Sequence, residues 1–182
     1  GYSSNAKPTG KKVAVIGGGP ASLSCAYQLT LKGHEVTVFD EHEYLGGMMR
    51  YGIPGFRTPR DVLDAEIKRI IDLGVKTRMN CRVGSDITLA EIREEFDAVF
   101  LGMGAQAGRA LPLEDSAAPN VVTATAFLKA FNDSRLQHVG KRVVVVGGGD
   151  TSIDVATVAR RLGHLERSQP TEFEQAIAGQ MA

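Results

Sequence analysis

The amino-acid sequence predicts an α/β fold in which a parallel sheet is covered by helices, and three observations carry that prediction. Short, wholly apolar runs recur at Val13–Ile16, Ala98–Leu101 and Val143–Val146, the pattern of parallel strands buried on both faces. Between them lie stretches with the 3.6-residue spacing of amphipathic helices, so β and α signals alternate. Glycine is in excess, at 21 of 182 residues where about 7% is ordinary. The glycines cluster directly after apolar runs, as tight turns around a ligand require.

Residues 1–10 read as a loose tail. Val13–Ile16 is the first strand, Gly17-Gly18-Gly19-Pro20 turns the chain, and Ala21–Leu31 is a helix stopped by Gly33. Glu35–Phe39 is the second strand. Pro59–Leu73 is the clearest helix, with Leu63, Ile67, Ile70 and Ile71 on one stripe. Asp64 and Lys68 are spaced for an i, i+4 pair on its other side, and Gly74 is the stop. A strand follows over Val75–Met79. Thr88 and Glu91 form a capping box that opens a short helix. Ala98–Leu101 is another buried strand, Pro112–Pro119 a loop and Thr123–Phe131 a helix. Val143–Val146 repeats the buried-strand signal, with Gly147-Gly148-Gly149 and a helix to Leu162 behind it. From His164 on the chain is polar, with one weakly amphipathic segment at Phe173–Ile177, and it does not read as a strand.

Composition narrows the function classes. At 43% hydrophobic and 23% charged the chain is globular rather than disordered. Lys+Arg and Asp+Glu are both 21, which leaves no net field to recruit nucleic acid or an anionic membrane. No apolar run reaches the roughly 18 residues of a bilayer span, and the opening residues hold no secretory core. The expectation is a cytoplasmic protein with no membrane span and no nucleic-acid partner. Cys25 and Cys81 are single, with no Cys-x-x-Cys, so they read as two thiols and supply no metal or cluster site. His34, His42, His138 and His164 show no ligand spacing and read as surface or loop residues.

The chemistry starts at the first glycine run. Lys12 to Ser22 is strand, G-x-G-x-x-S, helix. Gly17 permits the turn off the strand, and Gly19 lets backbone approach a pyrophosphate seated on the helix N-terminus. Ser22 stands where Gly or Ala is usual and is small enough to pack there. Asp40 closes the second strand about 20 residues beyond Gly19, where a carboxylate accepts from a ribose hydroxyl; a solvated strand-end acid is the plainer alternative. The device recurs at Gly147-Gly148-Gly149-Asp150-Thr151-Ser152. Two such turns in one chain point to two dinucleotides, typically a flavin and a nicotinamide.

At the residue level the sequence resembles the flavoprotein family of the glutamate synthase small (β) subunit and the N-terminal flavin region of dihydropyrimidine dehydrogenase. Gly46-Gly47-Met48-Met49-Arg50-Tyr51-Gly52-Ile53-Pro54-Gly55-Phe56-Arg57-Thr58-Pro59 is similar to that family's G-G-x-x-R-Y-G-I-P-x-F-R-x-P signature. Phe96–Ala105 resembles its second flavin-side glycine motif, and Gly147–Asp154 its NAD(P)H turn. The likeness covers about residues 11–163.

The resemblance implies a Rossmann-like FAD-binding domain with a parallel sheet, plus the first βα unit of a second, incomplete Rossmann-like NAD(P)H domain. The expected boundaries are 1–10 tail, 11–115 FAD-binding, 116–139 connection, and 140–182 the start of a truncated NAD(P)H domain. Gly17, Gly19, Pro20 and Ala21 are expected to hold the FAD pyrophosphate, and Asp40 the adenosine ribose. Gly46, Gly47 and Met48 lie along the FAD, with Gly47 leaving room where a side chain would clash. Arg57 is a cation near FAD, a surface arginine being the alternative, and Val83 meets the adenine through its backbone. Gly102 and Gly104 let the chain pass close to the cofactor. Gly149, Asp150 and Thr151 cradle the nicotinamide dinucleotide. No side chain reads as a catalytic acid, base or nucleophile, and none is needed for hydride transfer between NAD(P)H and FAD.

The implied function is the flavoprotein portion of an NAD(P)H oxidoreductase, feeding electrons to an iron–sulfur protein or subunit. The family commonly carries a cysteine-rich iron–sulfur region and continues well beyond the second glycine turn, so this chain is expected to be a fragment. The alternative is a truncated, non-catalytic nucleotide-binding module. Its open valine strand is expected to seek a partner copy, as a homodimer, or the rest of its own polypeptide.

Overall fold

The computed structural model describes residues 6–108, 118 and 120–165. The chain divides into two compact units. Residues up to Arg50 and Thr58–Gly104 make the first; Tyr51–Arg57 and the residues from Ala105 on make the second.

In the first unit β1 (Lys12–Ile16), α1 (Pro20–Leu31), β2 (Glu35–Phe39), a short α2 (Met48–Tyr51, whose last residue already belongs to the second unit), α3 (Arg60–Ile71), β3 (Lys76–Arg78), α4 (Leu89–Glu95) and β4 (Ala98–Leu101) follow one another. The strands form one parallel sheet in the order β3-β2-β1-β4. Val13 lies beside Val36 and Val15 beside Val38, so these four valines share one face. That face packs on Ala26 of α1 and on the Ile70 and Ile71 end of α3. Ala14, Ile16 and Phe39 point the other way, onto Ile92 of α4 and Phe96, and the Phe39 and Phe96 rings meet edge to face at 5.7 Å. Burial on both faces explains the apolar run Val13–Ile16 of β1 and Val36, Val38 and Phe39 of β2; each fully buried valine contributes about 1.5–3 kcal/mol. The Thr88–Glu91 capping box is formed at α4, and Leu63 and Ile67 carry the expected stripe of α3 against Leu23.

Three sequence expectations fail here in part. β4 forms over the expected residues but is not buried: it is the sheet's edge, and its Phe100 and Leu101 are exposed. Asp64 does not pair with Lys68. It takes the guanidinium of Arg50, which the Leu45 carbonyl holds at 2.6 Å, and Lys68 turns instead to Asp72 at 2.6 Å. The strand expected over Val75–Met79 shortens to β3, with Val75 buried in the core beside it.

The second unit contains α5 (Ala124–Asn132), β5 (His138–Gly140), α6 (Asp150–Arg161) and β6 (Gly163–Leu165). Its core joins Phe127, Leu128 and Ala130 of α5 to Val155, Val158 and Ala159 of α6, with Val139 between. Val143–Val146, expected as a buried strand, forms no ladder with any described residue; the parallel pair is β5 with β6. Val145 packs on the core while Val144 and Val146 face outward. An apolar run becomes a strand only when a partner ladder is present, and among the described residues none lies alongside this one. β6 also makes a strand at His164, where none is expected. The loop at Pro112–Pro119, Ala118 apart, and the segment Phe173–Ile177 lie outside the described residues.

Candidate dinucleotide site

Three strand ends converge on the first glycine turn. The Gly17 N–H donates to the Phe39 carbonyl at 2.8 Å, and the Gly102 N–H donates to the Ile16 carbonyl at 2.8 Å. Gly17 has φ +96°, and a Cβ there would lie 2.5 Å from the Gly102 carbonyl oxygen. Only glycine satisfies both conditions. On its other side Gly102 crowds Ser22, whose buried hydroxyl donates to the Gly102 carbonyl at 3.2 Å. The serine in the third motif position therefore ties α1 to the end of β4.

Gly19 is the N-cap of α1, with φ −80° and ψ 179°, and no side chain caps this helix. Pro20 follows as the first helical residue, and Pro20 and Ala21 are exposed. A Cβ on Gly19 would meet only the Gly47 Cα, at 3.9 Å. The opening of α1 thus presents backbone and no acidic side chain, and an anionic pyrophosphate fits that surface. Gly46 donates its N–H to the Gly18 carbonyl at 2.8 Å, so the Gly-Gly turn lies against the first turn. Gly47 has φ +51°, and a Cβ on it would stand 2.7 Å from the Gly19 Cα. Met48 starts α2 directly behind it. Gly104 lies exposed past β4, and Val83 is half-buried against the Phe39 and Phe96 cluster.

Asp40 is buried at the end of β2. Its Oδ2 accepts from Gly18 N–H at 2.5 Å, and its Oδ1 accepts from His42 N–H at 2.7 Å with His42 Nδ1 at 2.9 Å. Burial pushes this carboxyl upward, but the bonds from His42 and Gly18 outweigh it and hold the group below the usual carboxylate range. His42, expected as a surface or loop histidine, does lie in the loop after β2, but half-buried and bonded to Asp40, a role that sequence reasoning missed. Its signal was local: Asp-x-His at the end of a strand.

The second unit holds the second turn. Gly149 caps α6 with φ −82° and ψ 174°, again without a side-chain cap, so its conformation repeats that of Gly19. Gly147 has φ +125°, and a Cβ on it would meet Ser152 Oγ at 2.5 Å; a Cβ on Gly148 or Gly149 would meet nothing within 4 Å among the described residues. Asp150 and Thr151 are exposed in the first turn. Arg57 belongs to this unit, where its Nη1 lies 2.8 Å from each carboxylate oxygen of Asp154 in α6. That pair raises the guanidinium pKa further, through the hydrogen bond and charge of Asp154. The Tyr51 and Ile53 carbonyls accept from the Asn132 side chain, and Arg161 lies 4.0 Å over the Phe56 ring. The signature segment from Tyr51 to Arg57 is thereby fastened to α5 and α6.

Among the described residues no helix is long and apolar enough to cross a membrane. Cys25 and Cys81 are free thiols.

Known proteins resemble this chain in sequence or in fold. The chain is 42% identical over 91% of its length to the NADP(+)-dependent formate dehydrogenase subunit beta of Moorella thermoacetica, covering 24% of that protein. It is 39% identical over 88% of its length to the glutamate synthase [NADPH] small chain of Escherichia coli, covering 36% of it. It is likewise 39% identical over 89% to the NAD-dependent dihydropyrimidine dehydrogenase subunit PreT of Salmonella typhimurium, covering 39%. The chain thus spans well under half the length of these relatives. The Mycobacterium tuberculosis oxidoreductase FprA, solved with NADPH, shares the fold at a TM-score of 0.72 and 20% identity, over 84% of this chain and 36% of that one. The family model described as pyridine nucleotide-disulphide oxidoreductase matches residues 11–176. With two glycine turns of one geometry and that match across most of its length, the chain belongs to the pyridine nucleotide-disulphide oxidoreductase family.

Proposed function

We propose that the chain is the electron-input portion of an NAD(P)H oxidoreductase, with FAD at the first glycine turn and NAD(P)H at the second. The observation that carries this reading is the repeated helix opening. Gly19 and Gly149 cap α1 and α6 in the same extended conformation, each without a side chain across the turn. Bound flavin would supply the hydride-accepting ring and nicotinamide the hydride; the protein's part is position and electrostatics.

Gly17, Gly19, Pro20 and Ala21 form the proposed seat of the pyrophosphate, and Asp40 receives the ribose. Gly46, Gly47, Met48, Val83, Gly102 and Gly104 line the rest of the flavin's path. Gly149, Asp150 and Thr151 hold the nicotinamide dinucleotide. Arg57, expected as a cation near FAD, has a side chain half exposed beyond its pair with Asp154 and so remains a candidate cation for a bound dinucleotide. Several relatives are named as subunits or small chains, which supports a protein partner. The partner proposed is an iron–sulfur protein or subunit that takes electrons from the flavin. The isolated chain is proposed to associate with copies of itself through the outward-facing valines.

Titrating the purified chain with FAD, by flavin fluorescence and visible spectrum, tests the first site. Saturable binding is expected, with the visible absorption of a protein-bound flavin. Absence of flavin binding overturns the reading and leaves a non-catalytic module.

A further inference from the structure

The Asp40 carboxylate is oriented from two sides. Gly18 N–H reaches Oδ2 from the glycine turn, and His42 reaches Oδ1 twice, through its backbone N–H and its ring. An ionised carboxylate only accepts, so the ring nitrogen facing it, Nδ1, carries the proton. The last torsion of an aspartate is soft and broad, and backbone donors alone leave the carboxylate plane free to swing. The imidazole removes that freedom. It fills Oδ1 with two bonds, while Oδ2 keeps a second acceptor site beside the Gly18 turn. The pair is well placed to act this way, because Asp40 is buried, His42 is half-buried, and β2 and Gly17 are locked by the Gly17 bond to the Phe39 carbonyl.

We propose that His42 is a positioning residue of the first nucleotide site: by holding Oδ1 of Asp40 it aims Oδ2 at a ribose hydroxyl of the bound adenine dinucleotide, and so sets the site's preference for ribose over deoxyribose. The proposal rests on the reading of Asp40 as the ribose acceptor. The role proposed for His42 runs through its bonds to Asp40.

Calorimetric binding of ADP and 2′-deoxy-ADP to the wild type, His42→Ala and His42→Asn tests it. The wild type is expected to prefer ADP by about 3- to 10-fold, the worth of one hydrogen bond. In His42→Ala that preference disappears because ADP weakens while 2′-deoxy-ADP does not. His42→Asn, whose amide N–H stands near the place of Nδ1–H, restores it. A merely structural role for His42 weakens both nucleotides equally, and that result overturns the proposal. So does a preference that survives in His42→Ala, which leaves Asp40 as ribose acceptor. Equal binding of the two nucleotides by the wild type, or no binding of either, instead overturns the reading of Asp40. Should alanine unfold the chain, His42→Phe keeps the ring's bulk without the donor and is read against His42→Asn in the same way.

Discussion

Arg57 and Asp154, 97 residues apart in sequence, meet as an ion pair with one guanidinium nitrogen 2.8 Å from both carboxylate oxygens. The two ends are unequal: the Asp154 side chain is 8% exposed and that of Arg57 48%. Removing the arginine leaves a charge where water cannot reach it, which costs more than the pair itself is worth.

Arg57→Met is therefore expected to destabilise the chain, and adding Asp154→Asn is expected to recover part of the loss by removing the orphaned charge. Denaturant midpoints of the wild type, the single and the double variant measure this. If the double variant unfolds no later than Arg57→Met alone, Asp154 is not buried in solution.

Two glycines of one motif are expected to respond in opposite ways. Gly17→Ala forces a side chain into a left-handed backbone and against the Gly102 carbonyl, and should cost about 1–3 kcal/mol of stability. Gly19 has extended dihedrals that a branched residue accepts, with only Gly47 nearby. Gly19→Val should leave thermal unfolding near that of the wild type and abolish FAD binding. Undiminished flavin affinity in Gly19→Val would show that the pyrophosphate lies elsewhere.

The contrast between these two glycines also marks how far sequence reading reaches. β1, α1, β2 and the turn between them were legible because strand, glycine and helix signals stand side by side and agree. The capping box at Thr88 was legible for the same reason: both of its residues sit in one turn. Arg57 and Asp154 share no local pattern, so a sequence offers no sign that they meet. Arg50 took Asp64 from Lys68 because a guanidinium anchored on the Leu45 carbonyl arrives from outside the helix. The four valines at 143–146 show the limit of composition: their apolarity was plain, but a ladder depends on what lies alongside. His42 was overlooked because a histidine alone carries little meaning until the carboxylate it faces is placed.

Thr88→Ala is expected to cost about 1 kcal/mol at neutral pH, the usual worth of an N-cap. Thr88 Oγ accepts from Glu91 N–H at 3.2 Å, while Thr88 N–H and Oγ donate to the Glu91 carboxylate at 2.8 and 2.7 Å. Those bonds lower the Glu91 carboxyl pKa. A lowered folded pKa gives stability that is present above the unfolded value, about 4.3, and is lost as pH falls through the folded one. The penalty of Thr88→Ala should therefore shrink in acid. A penalty independent of pH would mean that only the Glu91 N–H bond matters.

Asp40 has the same sign with different neighbours. Burial opposes its ionisation, and the bonds from His42 and Gly18 overcome that opposition to leave its pKa lowered. Its contribution is complete above the unfolded carboxyl value of about 3.9 and disappears as pH falls through the folded value. Asp40→Asn is thus expected to be less stable than the wild type at pH 7, with the gap closing in acid. Urea midpoints taken across the acid range measure it. A gap that widens with acid would require a raised pKa and would contradict the donors seen around this carboxylate.

Val144 and Val146 are 87% and 67% exposed, flanking Val145, which packs on the core of the second unit. Each valine left in water forgoes about 1.5 kcal/mol or more that burial would supply. Ile153 of α6 adds to the exposed apolar surface of this unit. The proposed self-association would cover these residues with a second copy, as the rest of a longer polypeptide would. At tens of micromolar, light scattering coupled to size exclusion should report a mass above the 19.4 kDa of one chain. Val144→Lys combined with Val146→Lys should return it to one chain, because each lysine would have to give up its hydration to enter the contact. A wild-type chain that runs as a monomer at that concentration overturns the expectation, and a dimer that survives both lysines places the contact elsewhere.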